Sequence, residues 1–296
     1  MKRKVIKQGN NTLTVTLPRK WTSKHSVQVG DELEVEEHGS SLYIGHNKER
    51  TLGEISVDIQ GDHFFRRSIF IPYSKGYDII RVNFKNKSIP ELIKKNLQYM
   101  LGFELVDQGE NYCVLKNIAK GIEEEFDTIF NRMALIAASM GEDMYDALSK
   151  NEIERLENIR DLEGLSNKFN LFCRRILNTR GYKDPIKTNS LYRLSCSFER
   201  IADNFRDICT IFLSEKLKAK DEILNFLSEV NKHTQLNYKL VQKFDLETMY
   251  KFKTEETGLK KDALNLLKKM KGSEALIVHH LLSIIEEGHD ITEELF

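Results

Sequence analysis

Residues 191–212 read LYRLSCSFERIADNFRDICTIF. Leu191, Leu194, Phe198, Ile201, Phe205, Ile208 and Phe212 recur at spacings of three and four, which puts them on one face of a helix. The same stretch sets Glu199 and Asp203 four residues apart, again on a shared face. Outward from here the pattern predicts helices near 118–149, 151–179, 189–216, 219–244, 246–270 and 273–295. Nine of the 16 glycines and three of the four prolines precede residue 118, so long helix is expected only behind it, with Pro185 as the one interruption. Six helices divide into two three-helix units near Lys218. The internal repeat is faint: Arg206-Asp207-Ile208 has His289-Asp290-Ile291 as its counterpart.

Ahead of the helices, residues 53–117 alternate strand and helix. Strands are expected at Glu54–Gln60 and Asp78–Phe84, helices at Gly61–Ile69 and Ile89–Leu101, and a hairpin from Phe103–Asp107 and Tyr112–Lys116. Ser88-Ile89-Pro90-Glu91 suits a helix start, because proline in the first turn gives up no hydrogen bond. The order βαβαββ describes a small α+β layer. Residues 2–46 read as short strands. Lys4-Val5-Ile6 and Leu13–Leu17 flank a turn at Gly9-Asn10-Asn11, and Pro18 opens a short helix to about Lys24. Val29-Gly30-Asp31 turns the chain into Glu32–Glu37, and His38-Gly39-Ser40 returns it through Ser41–Gly45. A unit of this size cannot bury a stable core alone, so a homodimer is expected. The expected fold class is multidomain α+β: residues 1–48, a connector over 49–117, and a six-helix bundle over 118–296.

Charge singles out the N-terminus. Net charge is zero, yet residues 1–24 carry seven basic side chains (Lys2, Arg3, Lys4, Lys7, Arg19, Lys20, Lys24) and no acid. Residues 118–296 carry 27 basic against 31 acidic groups, so no second basic excess exists there. Lys2, Lys4, Lys7, Arg19 and Lys20 are candidates for phosphate contact, doubled in a dimer. The same charges equally fit a solvated face on a dimer clasp. No run approaches the roughly 18 uncharged apolar residues of a membrane span. The opening Met-Lys-Arg-Lys has no apolar stretch behind it, which argues against a signal peptide. Cys113, Cys173, Cys196 and Cys209 form no C-x-x-C pair and read as thiols in a reducing cytoplasm. No phosphate-binding glycine loop, Gly-x-Ser-x-Gly or His-Glu-x-x-His is present, and no enzyme is expected. His279 and His280 are adjacent, so on a helix they point apart, one packed and one exposed.

Glu163 and Asn167 repeat the spacing of Glu199 and Asp203 on the preceding helix. Antiparallel packing would bring the four oxygen-bearing groups together, a donor set for Mg, Mn or Fe. Salt bridging to Arg174, Arg175, Arg200 or Arg206 is the competing arrangement.

Two resemblances bear on function. Lys4-Val5-Ile6-Lys7, Thr12, Val15, Leu17-Pro18-Arg19-Lys20-Trp21 and Val29-Gly30-Asp31-Glu32-Leu33 resemble the AbrB/SpoVT/MazE swapped-hairpin domain. The Leu-Pro-x-Lys-Trp form is similar to the head of archaeal phosphate-uptake regulators. The resemblance implies a dimeric barrel of interlocked hairpins and DNA binding through the basic strand and the region before the short helix; Trp21, a large aromatic, is expected as a core anchor rather than a DNA contact. Thr16 stands where some members place an Arg. Glu199-Arg200-Ile201-Ala202-Asp203-Asn204 resembles the Glu-Arg-Ile-Gly-Asp-His signature of PhoU helices, and Glu163…Asn167-Lys168-Phe169 with Arg175 resembles the companion helix. This implies a carboxylate metal cluster in each three-helix unit. Asn167 stands in place of an Asp, and the second unit offers only Glu255, Glu256, Glu286 and Asp290. Residues 76–80 and 102–104 resemble the connector of the same archaeal architecture. Together the resemblances imply a regulator of phosphate uptake or signalling that binds DNA, with a transporter or signalling protein as partner and no membrane insertion. The alternative is an adaptor that binds no DNA and uses its head only to dimerise.

Overall fold

A computed structural model describes residues 2–38, 41–45, 52–59, 64–119 and 121–295. The chain separates into two compact units, Met1–Glu49 and Arg50–Phe296.

The first unit contains two hairpins and a short helix. Strands β1 (Ile6–Gln8) and β2 (Thr12–Thr14) pair antiparallel with Lys7 opposite Leu13. Gly9 makes the turn at φ +70°, a left-handed backbone that glycine adopts without steric cost. Both strands lie closer to this turn than the alternation predicts. Lys2 and Lys4 therefore precede β1, and Lys7 alone of the three sits on it. Pro18 starts α1 (Arg19–Lys24) and accepts at its carbonyl from the amides of Trp21 and Thr22. Strands β3 (Glu34–His38) and β4 (Ser41–Gly45) form a separate antiparallel pair. The expected turn residues Gly39 and Ser40, and the boundary near residue 48, lie outside the described residues. Among the residues of this unit with a described exposure, none is buried. Leu13 and Leu42 are 70% and 64% exposed, so much of the apolar surface of this unit finds no cover within it.

The second unit opens with a four-stranded sheet. Its order is β5 (Glu54–Ile59), β6 (Ile79–Phe84), β8 (Tyr112–Asn117), β7 (Phe103–Gln108). β5 and β6 run parallel, which requires a crossover, and α2 (Phe65–Lys75) supplies it. The remaining pairs are antiparallel, with a bulge between Leu105 and Asp107. Ile80, Val82, Phe84, Cys113 and Leu115 pack on Ile69 and Tyr73 of α2 and on Ile89 and Ile93 of α3 (Ile89–Leu97). α2 runs past the expected end at Ile69 and through Pro72; its expected start at Gly61 lies outside the described residues. Fully buried Tyr73 holds that last turn in the core, and packing overrides the local preference of proline. Gly76 ends the helix at φ +101°, where a Cβ would lie 2.3 Å from Thr179 Cγ2.

Behind the sheet run α4 (Phe126–Ser149), α5 (Arg155–Thr179), α6 (Thr188–Glu215), α7 (Asp221–Gln242), α8 (Leu246–Lys269) and α9 (Ser273–Glu293). α4 and α5 begin several residues later than periodicity predicts, the latter because Asn151 turns the chain at φ +57°. α4, α5 and α6 pack on one another, as do α7, α8 and α9; the two sets join through α4 on α7 and α6 on α9. Leu194, Phe198, Ile201, Phe205, Ile208 and Phe212 are all buried in the shared core. Gly141 lets α7 approach α4: Asn231 Nδ2 donates to its carbonyl at 2.7 Å, and a Cβ there would meet Asn231 Oδ1 at 2.2 Å.

Arg175 ties α5 to the sheet layer. Its guanidinium donates to the carbonyls of Tyr73 (2.9 Å) and Tyr77 (2.8 Å) and to Asp78 Oδ1 (2.6 Å), lying 5.3 and 5.0 Å from the ring centres of Tyr73 and Phe103.

Candidate functional site

α5 and α6 lie antiparallel, and their facing polar residues form one seam. Glu163, Asn167, Asn170 and Arg174 follow each other at spacings of four, three and four along α5. At one end Arg174 Nε donates to the Tyr192 hydroxyl at 2.8 Å. At the other, carboxylate oxygens of Glu163, Glu199 and Asp203 all lie within 4.8 Å of one another. Asn167 Nδ2 reaches Glu163 Oε1 at 3.5 Å, a long contact that leaves the amide beside the cluster. The four residues singled out by spacing are thus neighbours.

Their chemistry is set by crowding. Burial pushes the Glu199 carboxyl up to about 7, and the nearby charges of Asp203 and Glu163 add to the effect. Burial likewise pushes Asp203 up to about 6; Arg206 opposes this and Glu163 reinforces it. Arg206 is the neutralising cation. Its Nη1 meets Asp203 and lies 3.3 Å from Glu163 Oε1, while Nε and Nη2 donate to Asp207 Oδ1 at 3.0 and 2.9 Å. The other three candidate arginines are engaged elsewhere. Arg174 bonds Tyr192, Arg175 bonds the sheet layer, and Arg200 pairs with Glu287 at 2.9 Å. Glu199 has no ion pair among the described residues. The part of Asp207 was not singled out from sequence, although its place four beyond Asp203 was visible.

The acidic candidates of the second three-helix unit do not converge. Glu256 is buried and engaged by Lys260 (2.6 Å), His289 (2.8 Å) and Lys253 (3.4 Å). Burial works against its charge, but hydrogen bonds from Lys260 and His289 hold its carboxyl down at about 2. Glu255 faces Lys251 at 3.8 Å, and Asp290 pairs with Arg193 of α6. Among the described residues, the group on α5 and α6 is the one whose ligand atoms gather closely enough for a metal. Of the histidine pair, His279 is exposed and His280 is half-buried with Nδ1 2.9 Å from Asn204 Oδ1.

In the first unit Lys2, Lys4, Lys7, Arg19 and Lys20 are all exposed. Arg19 and Lys20 are the first two residues of α1. None of the five pairs with a carboxylate among the described residues. Trp21 is half-buried, its ring 5.2 Å from that of His25.

Comparison with known proteins matches residues 6–50 to a family model described as antidote-toxin recognition MazE, bacterial antitoxin. No curated protein and no solved structure matches the chain. The family match covers the first unit and leaves the helical part to be read from its own residues. No helix among the described residues is long and apolar enough to cross a membrane.

Proposed function

We propose that this protein is a DNA-binding regulator, with a dimeric N-terminal domain as the grip and the helical bundle as a cation-responsive sensor and docking domain. One observation carries the DNA reading. The segment matched by the MazE model, with the few residues ahead of it, combines open apolar side chains with five exposed cations, and residues 1–24 hold no acid. The apolar surface favours a second copy interlocked with the first, and the doubled basic face favours phosphate contact. The finer assignment, regulation of phosphate uptake or phosphate signalling in the cytoplasm with a transporter or signalling protein as partner, draws on the resemblance of the Glu163 and Glu199 helices to PhoU. An antitoxin-type role is the second reading, favoured by the family match.

Glu163, Glu199 and Asp203, with Asn167 as a neutral donor, suit a hard or borderline divalent cation such as Mg, Mn or Fe, because every donor is oxygen. The cation would supply the positive charge that crowding demands. A Glu199→Gln, Asp203→Asn double variant is expected to lose bound metal and the rise in melting temperature that metal confers.

DNA binding is tested by a salt series on the full-length protein. Arg19→Ala, Lys20→Ala is expected to weaken binding alike across sequences and to flatten the salt slope by roughly one unit for each phosphate that is no longer neutralised. Absence of binding by the wild type even at low salt would replace the regulator with the adaptor.

A further inference from the structure

The carboxylate cluster already holds a cation of its own, and the hold is divided. Arg206 touches Glu163 and Asp203 through Nη1 alone, while Nε and Nη2 both rest on Asp207 Oδ1. Its side chain is 33% exposed, so it has room to move. Glu199, the third carboxylate, receives no direct cationic contact among the described residues. A second observation points to an occupant beyond Arg206. Asn170, 4% exposed, has a buried Oδ1 with no hydrogen-bond partner among the described residues. Its spacing of three from Asn167 and four from Arg174 puts it on the α5 face these two share, where its amide supplies an oxygen beside the cluster's helix face.

We propose that Arg206 is a built-in competitor for the divalent-cation site and that Asp207 is its alternative holder: an entering cation takes over Glu163 and Asp203, and the guanidinium retreats to Asp207 without leaving the helix. This rests on the reading of the cluster as a cation site. The exchange ends with every carboxylate of the group partnered. Before entry one guanidinium serves three carboxylates, those of Glu163, Asp203 and Asp207. After entry the cation serves Glu163, Glu199 and Asp203, and Arg206 serves Asp207 alone. Arg206 therefore sets a threshold concentration below which the site stays closed, and Asp207 sets how low that threshold is. Only charge and geometry within about one turn of α6, and the facing Glu163 of α5, are involved.

The test is Mn2+ binding alone, by equilibrium dialysis of the full-length protein, in a double-mutant cycle with helical content checked by circular dichroism. Arg206→Gln is expected to tighten binding about tenfold, and Asp207→Asn to weaken it about threefold. Asp207→Asn should have no effect in the Arg206→Gln background, because its part is to hold the guanidinium. An equal weakening in both backgrounds would mean that Asp207 acts by its charge alone, and the holder assignment would fall. Unchanged affinity in Arg206→Gln would overturn the competitor assignment while leaving the cation site standing. Failure of both wild type and Arg206→Gln to bind Mn2+ would sink the cation site itself, and the gate with it. Arg206→Lys, which keeps the charge but cannot span Asp203 and Asp207 at once, should fall between wild type and Arg206→Gln.

Discussion

The two three-helix halves of the bundle share a layout and settle their buried charge in opposite ways. In α4–α6, three carboxylates crowd together, and one guanidinium touches two of them. In α7–α9, one carboxylate is surrounded by Lys253, Lys260 and His289. The contacts α5 to α6 and α8 to α9 that carry these groups correspond, so the scaffold does not decide the difference. Side-chain charge does. The second half is electrostatically complete as it stands. The first is short of positive charge, and that shortage makes it the candidate sensor.

The largest expected effect breaks the complete half. Glu256→Gln should destabilise the protein by about 2–4 kcal/mol, because it leaves two lysines gathered around a group with no charge. Urea denaturation would measure it, as a fall in the midpoint with unchanged slope. A neutral result would mean that the lysines relax into solvent, and that the contrast between the halves is one of surface charge only.

The next effect has the opposite sign. In metal-free protein, Glu199→Gln should raise the melting temperature by about 2–4 °C, since roughly 1 kcal/mol of repulsion and desolvation is relieved. The two halves should also differ in pH dependence. Glu199 has a folded-state pKa of about 7, above its ordinary value of 4.5, so the native state binds the extra proton. Its stabilising contribution is complete below pH 4.5 and is lost as pH rises through 7. Asp203, raised to about 6, acts in the same direction. Glu256 is held at about 2, below its ordinary 4.5, so its contribution is present above pH 4.5 and disappears as pH falls toward 2. A thermal-melting series across pH should therefore show Glu199→Gln flattening the slope between 4.5 and 7, and Glu256→Gln flattening it below 4.5. If both variants change the same window, the halves do not differ as described.

How much of this could be read from residues alone follows from the range of the forces involved. The stripe from Leu194 to Phe212 is a local pattern with the period of a helix, and it located α6 and its core face. The gathering of Glu163, Glu199 and Asp203 needed one more step: spacing placed each pair on one helix face, and the resemblance to PhoU helices supplied the pairing of the two helices. Arg206 was visible only as one of four arginines, because which guanidinium reaches the cluster depends on helix register and on what engages the others. The end of α2 was not legible. Pro72 argues locally for a stop, but Tyr73 is buried and its carbonyl accepts from Arg175, which is 102 residues away in sequence. The first three strands of the first unit were misplaced by one to three residues for a related reason, while the fourth, Ser41–Gly45, was met. Short hairpins with no buried side chain among those described have little alternation to pin their register.

The smallest expected effect concerns the seam that joins the halves. α6 and α9 are bridged by Arg193 to Asp290 and by Arg200 to Glu287. The first pair is 51% and 31% exposed, so solvent screens it, and Arg193→Ala should cost no more than about 0.5 kcal/mol. The second is lopsided. Arg200 is 63% exposed, but Glu287 is only 14% exposed and its Oε2 has no hydrogen-bond partner. Arg200→Ala would leave that carboxylate half-buried without its one cation among the described residues, and should cost about 1 kcal/mol. Neither change touches Ile201, Phe205, Ile284 or Ile285, which lie in the apolar core common to both halves. The two halves should therefore still unfold in a single transition in both variants, monitored by circular dichroism and tyrosine fluorescence together. Separation into two transitions in Arg200→Ala would show that surface charge, rather than the shared core, makes the opposed halves one cooperative body.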